Sequence, residues 1–236
     1  MTTDTERKLP SPKHHAKKKR SFVAKFFRWV LVALVGCMVV AAMAIGGVYL
    51  YLSGDLPKIT SLSAYRPPTI TEVFSDDNRK IGEFYRERRI VVPLSEIPQT
   101  LKEAFIAAED ARYFKHKGID FVSIVRAFFK NLEAGTIVQG GSTITQQVTK
   151  SFFLTPERSY KRKIKEAILA YRIDKTFSKA DILYLYLNQI YLGHGAYGVQ
   201  AAAENYFGKS TKELNLAECA ILAGLPQAPS RYSPFW

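Results

Sequence analysis

The fold class expected from the sequence is a mainly α domain preceded by a single N-terminal transmembrane helix. Three observations carry that expectation. Residues Trp29 to Leu52 include no charged side chain. From Pro98 onward apolar residues return at helical spacing between residues that cap helices. No strand–helix alternation of a parallel sheet and no internal repeat is found. With 236 residues and 47% apolar content, the chain can bury one good-sized core, so one folded domain with appendages is expected.

The N-terminal tail, residues 1–21, holds Pro10, Pro12 and a lysine run and reads as a disordered, basic, cytoplasmic segment. Residues 1–28 carry nine Lys and Arg against two acids, +7 of the total +13. Residues 22–54 form the anchor. At ~1.5 Å per helical residue this apolar run exceeds the ~30 Å hydrocarbon core. Trp29 at one end and Tyr49 and Tyr51 at the other suit the two membrane interfaces. Lys17, Lys18, Lys19, Arg20, Lys25 and Arg28 precede the span and only sparse cations follow Asp55, so the N-terminus is expected inside and the rest outside. Ala42-Met43-Ala44 resembles a signal-peptide cleavage site, but the apolar run is long before it and continues after it, which favours a retained anchor. A basic tail beside such a span serves topology, so nucleic acid is not an expected partner. Cys37 in the span and Cys219 far outside it cannot pair, and neither has ligand neighbours at metal-site spacing.

Residues 55–94 read as a stalk with short strands. Pro57, Pro67 and Pro68 extend the chain, and Thr69–Phe74 and Arg89–Pro93 are expected to form a ribbon around the turn-prone Ser75-Asp76-Asp77-Asn78. Residues 95–236 form the domain. Pro98 suits a first helical turn, with Leu101, Ala104, Phe105 and Ala108 on one face, Glu109 near the end and Gly118 beyond it as a stop. Asp120 caps a second helix ending at Gly135. A third runs from about Ser142-Thr143 to Phe153, and a long one from about Glu157 to Lys175. Ser178 with Asp181, and Ser210 with Glu213, read as capping boxes that start later helices.

Three segments carry residue types suited to chemistry: Glu109 to Gly118, Gly140 to Gln147, and Arg162 to Glu166. A pair of carboxylates among cations and neutral hydrogen-bonding side chains suits transfer at a sugar carbon whose leaving group is anionic. Arg162, Lys163 and Glu166 share one helix face, either as a solvated salt-bridge surface or as a carboxylate held among cations that grip a diphosphate. Lys150 and Arg158 add positive charge nearby in sequence. Ser142, Thr143, Gln146 and Gln147 offer donors and acceptors for sugar or phosphate oxygens, or an ordinary N-cap and polar face. His116 reads more readily as a structural hydrogen-bonder than as a catalyst, and His194 as a loop residue. The second helix places Phe121, Ile124, Val125, Phe128, Phe129 and Leu132 on one face, suited equally to the core and to the bilayer interface.

Together these segments resemble the peptidoglycan glycosyltransferases, family 51, the polymerase domain of bifunctional class A penicillin-binding proteins. Glu-Asp-x-x-Phe-x-x-His-x-Gly is the first motif, spelled here with the aromatic pair Tyr113-Phe114. Gly-x-Ser-Thr-x-x-Gln-Gln is the second and Arg-Lys-x-x-Glu the third. Leu187 to Gly193, which includes Asn188, and Ala201 to Lys209 are similar to the fourth and fifth. The resemblance implies a lysozyme-like glycosyltransferase domain on the outer face of the cytoplasmic membrane. It implies an inverting enzyme that polymerises lipid II into β-1,4 glycan strands and releases undecaprenyl diphosphate. By that likeness Glu109 is the catalytic base, and Glu166, with Arg162, Lys163, Lys150 and Arg158, assists diphosphate departure. Asp110, Ser142, Thr143, Gln146, Gln147 and Asn188 join them as substrate-binding residues. No cofactor is required, although a divalent cation could assist departure. The implied partners are lipid II, the growing strand, inner-membrane lipid and other cell-wall synthesis proteins.

A transpeptidase domain is expected to be absent from these residues, since no Ser-x-x-Lys occurs. Two other functions compete with polymerisation. A lysozyme-like hydrolase needs an acid glutamate but no cation cluster. A non-catalytic membrane protein would be indifferent to Glu109→Gln.

Overall fold

The computed structural model describes residues 17–57, 59, 70–85, 87–155, 157 and 159–234. Residues 1–16 of the tail expected to be disordered and most of the proline-rich stalk lie outside these residues, while residues 17–21 of that tail are helical. The chain divides into two compact units, Met1–Gly54 and Asp55–Trp236.

Among the described residues of the first unit there is one helix, α1, Lys17–Ser53. It begins inside the stretch read as tail, because lysine and arginine propagate a helix well. Phe22, Phe26, Trp29, Leu31, Met38, Met43 and Leu50 are all exposed. Apolar on every side, it cannot bury its surface within its own unit, which is the composition of a helix solvated by lipid. Among the described residues, Phe22–Ser53 is the one helix long and apolar enough to cross a membrane.

Among the described residues of the second unit a short hairpin precedes seven α-helices. β1, Thr71–Phe74, pairs antiparallel with β2, Lys80–Phe84. The turn between them is closed by the Ser75 amide donating to the Arg79 carbonyl at 2.8 Å. This corrects the expected pairing of 69–74 with 89–93. Lys80-Ile81-Gly82-Glu83-Phe84 is two-sided and charged, so burial patterning does not mark it. β3, Arg88–Arg89, instead runs parallel to β4, Ala196–Tyr197, a contact more than a hundred residues apart.

α2 spans Gln99–Glu109 and stops at Glu109; a 3₁₀ turn, Tyr113–Lys115, fills the interval before Gly118. α3, Phe121–Ala134, starts at Asp120, whose carboxylate accepts from the Val122 and Ser123 amides, and ends at Gly135 in the left-handed region. α4, Ile144–Phe153, opens on a full capping box between Thr143 and Gln146. α5, Tyr160–Thr176, is capped by Ser159, and α6, Lys179–Gln189, by the Ser178–Asp181 box. α7 is Val199–Phe207. The Ser210–Glu213 box starts only a 3₁₀ turn, and Asn215 with Glu218 caps α8, Leu216–Gly224.

The core is built from Leu101 and Phe105 of α2, Ile144 and Val148 of α4, Ile173 of α5, Ile182, Leu183, Tyr186 and Leu187 of α6, the Ala201–Ala203 run of α7, and Cys219 and Leu222 of α8. The small alanines let α7 approach its neighbours closely. α2 lies along α8, and α4 sits between α5 and α6. α3 stays outside this core. Of its buried side chains only Ala127 qualifies, while Phe121, Phe128, Phe129 and Leu132 are exposed. The core-packing alternative for that face is thereby set aside.

Candidate active site

The site is organised by the first turns of α4. Its first amide, Ile144 N, donates to Asp110 Oδ2 at 3.0 Å, and the same carboxylate receives His116 Nε2 at 2.9 and 3.0 Å. Asp110 and His116 are both buried. The carboxylate just past α2 therefore satisfies an otherwise orphaned donor at the α4 N-terminus, where a negative charge is favourable. Thr143 Oγ1 accepts from the Gln146 amide and donates to the Gly118 carbonyl at 2.6 Å. Gly118 has φ +83°, and a Cβ there would overlap the Ala170 carbonyl of α5. Only glycine permits both the turn and that approach. Gly118, read from sequence as a helix stop, is instead the point where this loop is clamped between α4 and α5.

Tyr113 takes the position of the motif's phenylalanine. It is fully buried and spends its additional hydroxyl on the Lys179 carbonyl at 2.7 Å, while Lys179 Nζ lies 4.7 Å from its ring centre. The substitution thus acquires a partner rather than stranding a polar group. Phe114, its neighbour, is exposed.

On this frame adjacent glutamines of α4 reach the two glutamates. Gln147 Nε2 donates to Glu109 Oε2 at 2.6 Å, and Gln146 Nε2 donates to Glu166 Oε1 at 3.2 Å. Glu109 is half-buried, whereas Glu166 is buried. Burial raises the Glu109 carboxyl above its ordinary range; the Gln147 hydrogen bond opposes this and the Asp110 charge adds to it. A carboxylate so placed binds a proton more tightly than one in water, as a general base requires.

Glu166 lies in a different setting. Arg162 Nη1 donates to its Oε2 at 3.3 Å, and Lys163 Nζ pairs with Oε1 while also donating to Ser142 Oγ at 2.8 Å. The pair is charge-compensated, with Lys163 half in solvent. The Arg162 Nε is buried without a hydrogen-bond partner among the described residues. Positive charge in excess of one carboxylate, with a donor to spare, is an arrangement that grips an anion.

The residues expected at the site divide by what they touch. Glu109, Gln147, Glu166, Arg162, Lys163 and Ser142 form one connected set through α4 and α5. Asp110, Thr143 and Gln146 join it as buried framework, since their polar atoms go to His116, Ile144, Gly118, the capping box and, from Gln146 Nε2, Glu166. Asn188 is committed elsewhere: its Oδ1 accepts from the Val92 amide at 2.9 Å and its Nδ2 donates to the Val92 and Tyr184 carbonyls. It ties the segment before α2 to α6. Lys150 is exposed in the last turn of α4, and Arg158 lies outside the described residues.

These donors do not fit a protein-held divalent cation. Both Glu166 oxygens are taken, and among the described residues no group of three His, Cys, Asp or Glu could hold a metal.

A mainly α domain that holds one carboxylate half-buried and another among cations carries the groups that a glycosyl transfer needs. The chain belongs to the transglycosylase family, glycosyltransferase family 51, whose profile matches residues 77–236. It is similar to penicillin-binding protein 1A of Rickettsia bellii, 49% identical over 207 residues that cover 86% of this chain and 26% of the relative. Penicillin-binding protein 1A of Escherichia coli is 46% identical over 212 residues, covering 90% and 25%. That of Aquifex aeolicus is 52% identical over 182 residues, covering 77% and 25%. The chain spans about a quarter of the length of these curated relatives. A crystal structure of penicillin-binding protein 1A from Haemophilus influenzae matches with 30% identity and a TM-score of 0.34, covering 72% of this chain and 16% of that one.

Proposed function

We propose that this chain is a peptidoglycan glycosyltransferase that polymerises lipid II into β-1,4 glycan strands and releases undecaprenyl diphosphate. The observation that carries the reading is the pair of adjacent glutamines, Gln146 and Gln147, bonded to Glu166 and Glu109. Two carboxylates of opposite character are thereby served from one helix. Glu109 accepts the proton of the acceptor sugar's 4-hydroxyl as that oxygen forms its bond to C1 of the donor. The bond from C1 to the diphosphate oxygen breaks, and its electron pair leaves with the diphosphate. Arg162 and Lys163 neutralise the departing charge, aided by Lys150 and Arg158. Base and leaving-group support on opposite sides of the carbon give inversion.

Helix α1 anchors the enzyme in the inner membrane with its N-terminus inside and the domain outside; the cation cluster before the span supports that orientation. The exposed aromatic face of α3 supports contact of the domain with the bilayer interface, where a lipid-linked substrate resides.

The test is polymer formation from labelled lipid-linked precursor in vesicles, by the chain and by Glu109→Gln, with finished cell wall as a parallel substrate. Polymer from the intact chain alone supports the assignment. Shortened wall strands without polymer would make it a hydrolase instead.

A further inference from the structure

Tyr186 of α6 is among the largest fully enclosed side chains of the domain, 2% exposed, and beyond its place in the core it takes no part in the site described above. Its ring meets that of Phe105 edge-on, with centroids 6.1 Å apart and planes at 76°. Phe105 lies on α2 one turn before Glu109, so the two share a helix face and Tyr186 packs against the turn that delivers Glu109. Its hydroxyl is buried and has no hydrogen-bond partner among the described residues. Buried tyrosine hydroxyls nearly always have a partner, and an unpaired one calls for a physical reason. Burial pushes this phenol well above its ordinary range, and the Glu109 and then the Asp110 charge add to that. Asp110 is already occupied by His116 and Ile144. Glu109 has Gln147 on Oε2, and its Oε1 is free of hydrogen bonds among the described residues.

We propose that Tyr186 is a positioning residue for Glu109, its phenol donating through one ordered water to the Oε1 side of that carboxylate. This rests on Glu109 being the base. With Gln147 on one oxygen and Tyr186 on the other, the carboxylate has one rotational setting, and the lone pair left over faces the acceptor hydroxyl. Donation to the charged form also opposes the desolvation that makes Glu109 hold its proton. The other polar groups on the elements packed against α2 and α4 are distant from Glu109 or committed to partners. α4 brings neutral Gln147, with Lys150 only at its far end. α8, packed along α2, brings Cys219 beside Thr100 and Glu218 paired with Lys209. His116 is spent on Asp110.

The experiment compares the intact chain, Tyr186→Phe and Glu109→Gln in the polymerisation assay as a function of pH. Tyr186→Phe removes one oxygen and is expected to move the acid limb of the rate upward by about one pH unit, a tenfold loss on that limb that recovers as pH rises. A merely structural role gives either the unshifted profile or an equal loss at every pH, and both overturn the proposal. Retained polymerisation in Glu109→Gln would instead sink the reading of Glu109 as base. Should Tyr186→Phe melt too low to assay, the two single variants and the double variant are compared by melting temperature at pH 7. Non-additive effects support the contact, and additive ones overturn it.

Discussion

Replacing Asp110 by alanine separates framework from substrate contact. The side chain accepts from Ile144 N at 3.0 Å and from His116 Nε2 at 2.9 and 3.0 Å, all within the interior. Removing it strands two buried donors, each costing about 1–3 kcal/mol, so a loss of about 4 kcal/mol is expected. For a unit of this size, each kcal/mol lowers the melting temperature by roughly 2–4 °C, which gives a fall of roughly 8–16 °C. Asp110→Asn keeps one acceptor oxygen and should lose about half as much. Because the same contact seats the first turn of α4, Gln146 and Gln147 shift with it, and activity should fall alongside stability. The assay is thermal denaturation followed by far-ultraviolet circular dichroism, paired with polymerisation well below the melting range. An Asp110→Ala protein that melts within about 2 °C of the parent while losing all activity would refute the reasoning and return Asp110 to direct substrate contact.

Glu109→Gln should abolish polymerisation while melting at or above the parent near neutral pH. Burial raises the carboxyl of Glu109 in the folded state, so the folded form binds the proton more tightly and the charge costs stability at high pH. That cost disappears as pH falls below the ordinary glutamate value of 4.5, so the difference in melting between variant and parent should close there; a gap that widens on acidification would contradict the sign. Arg162→Ala and Lys163→Ala should each slow turnover about a hundredfold, on the scale of losing one electrostatic donor to a developing anion, and unchanged kinetics in both would remove them from leaving-group support. Gly118→Ala should destabilise by ~1–3 kcal/mol, since it forces a Cβ onto the Ala170 carbonyl in a left-handed backbone; denaturant unfolding reads this directly.

Local signals were legible where the interaction closes within a few residues. The Asp120 and Ser178 caps, the Gly135 stop and the apolar α1 stretch each act over one helical turn or along one uninterrupted run. They follow from backbone hydrogen bonding and transfer from water. The site segments were legible for the same reason, as short runs of unusual residue types, and Arg162, Lys163 and Glu166 meet because offsets of three and four share a face. The β2 strand was missed because Lys80 to Phe84 has two exposed faces and no burial pattern. The structural ties of Asn188 were not legible because its partner, Val92, is 96 residues away.

Residue order alone was sufficient for a mainly α domain behind an apolar helix, and for the chemical kinds of group that a glycosyl transfer needs. Three-dimensional packing assigned those groups their tasks. Asp110, Thr143 and Gln146 became scaffold because their partners arrive from α4, the His116 loop and α5. Gly118 became a clamp because α5 passes against it, and Tyr186 of α6 came to pack its ring on Phe105, one turn before Glu109. The physical reason is one of range. Helix caps and amphipathic stripes are written in neighbours along the chain, while desolvation, long-range hydrogen bonds and steric contact depend on which distant segments share the same few ångströms.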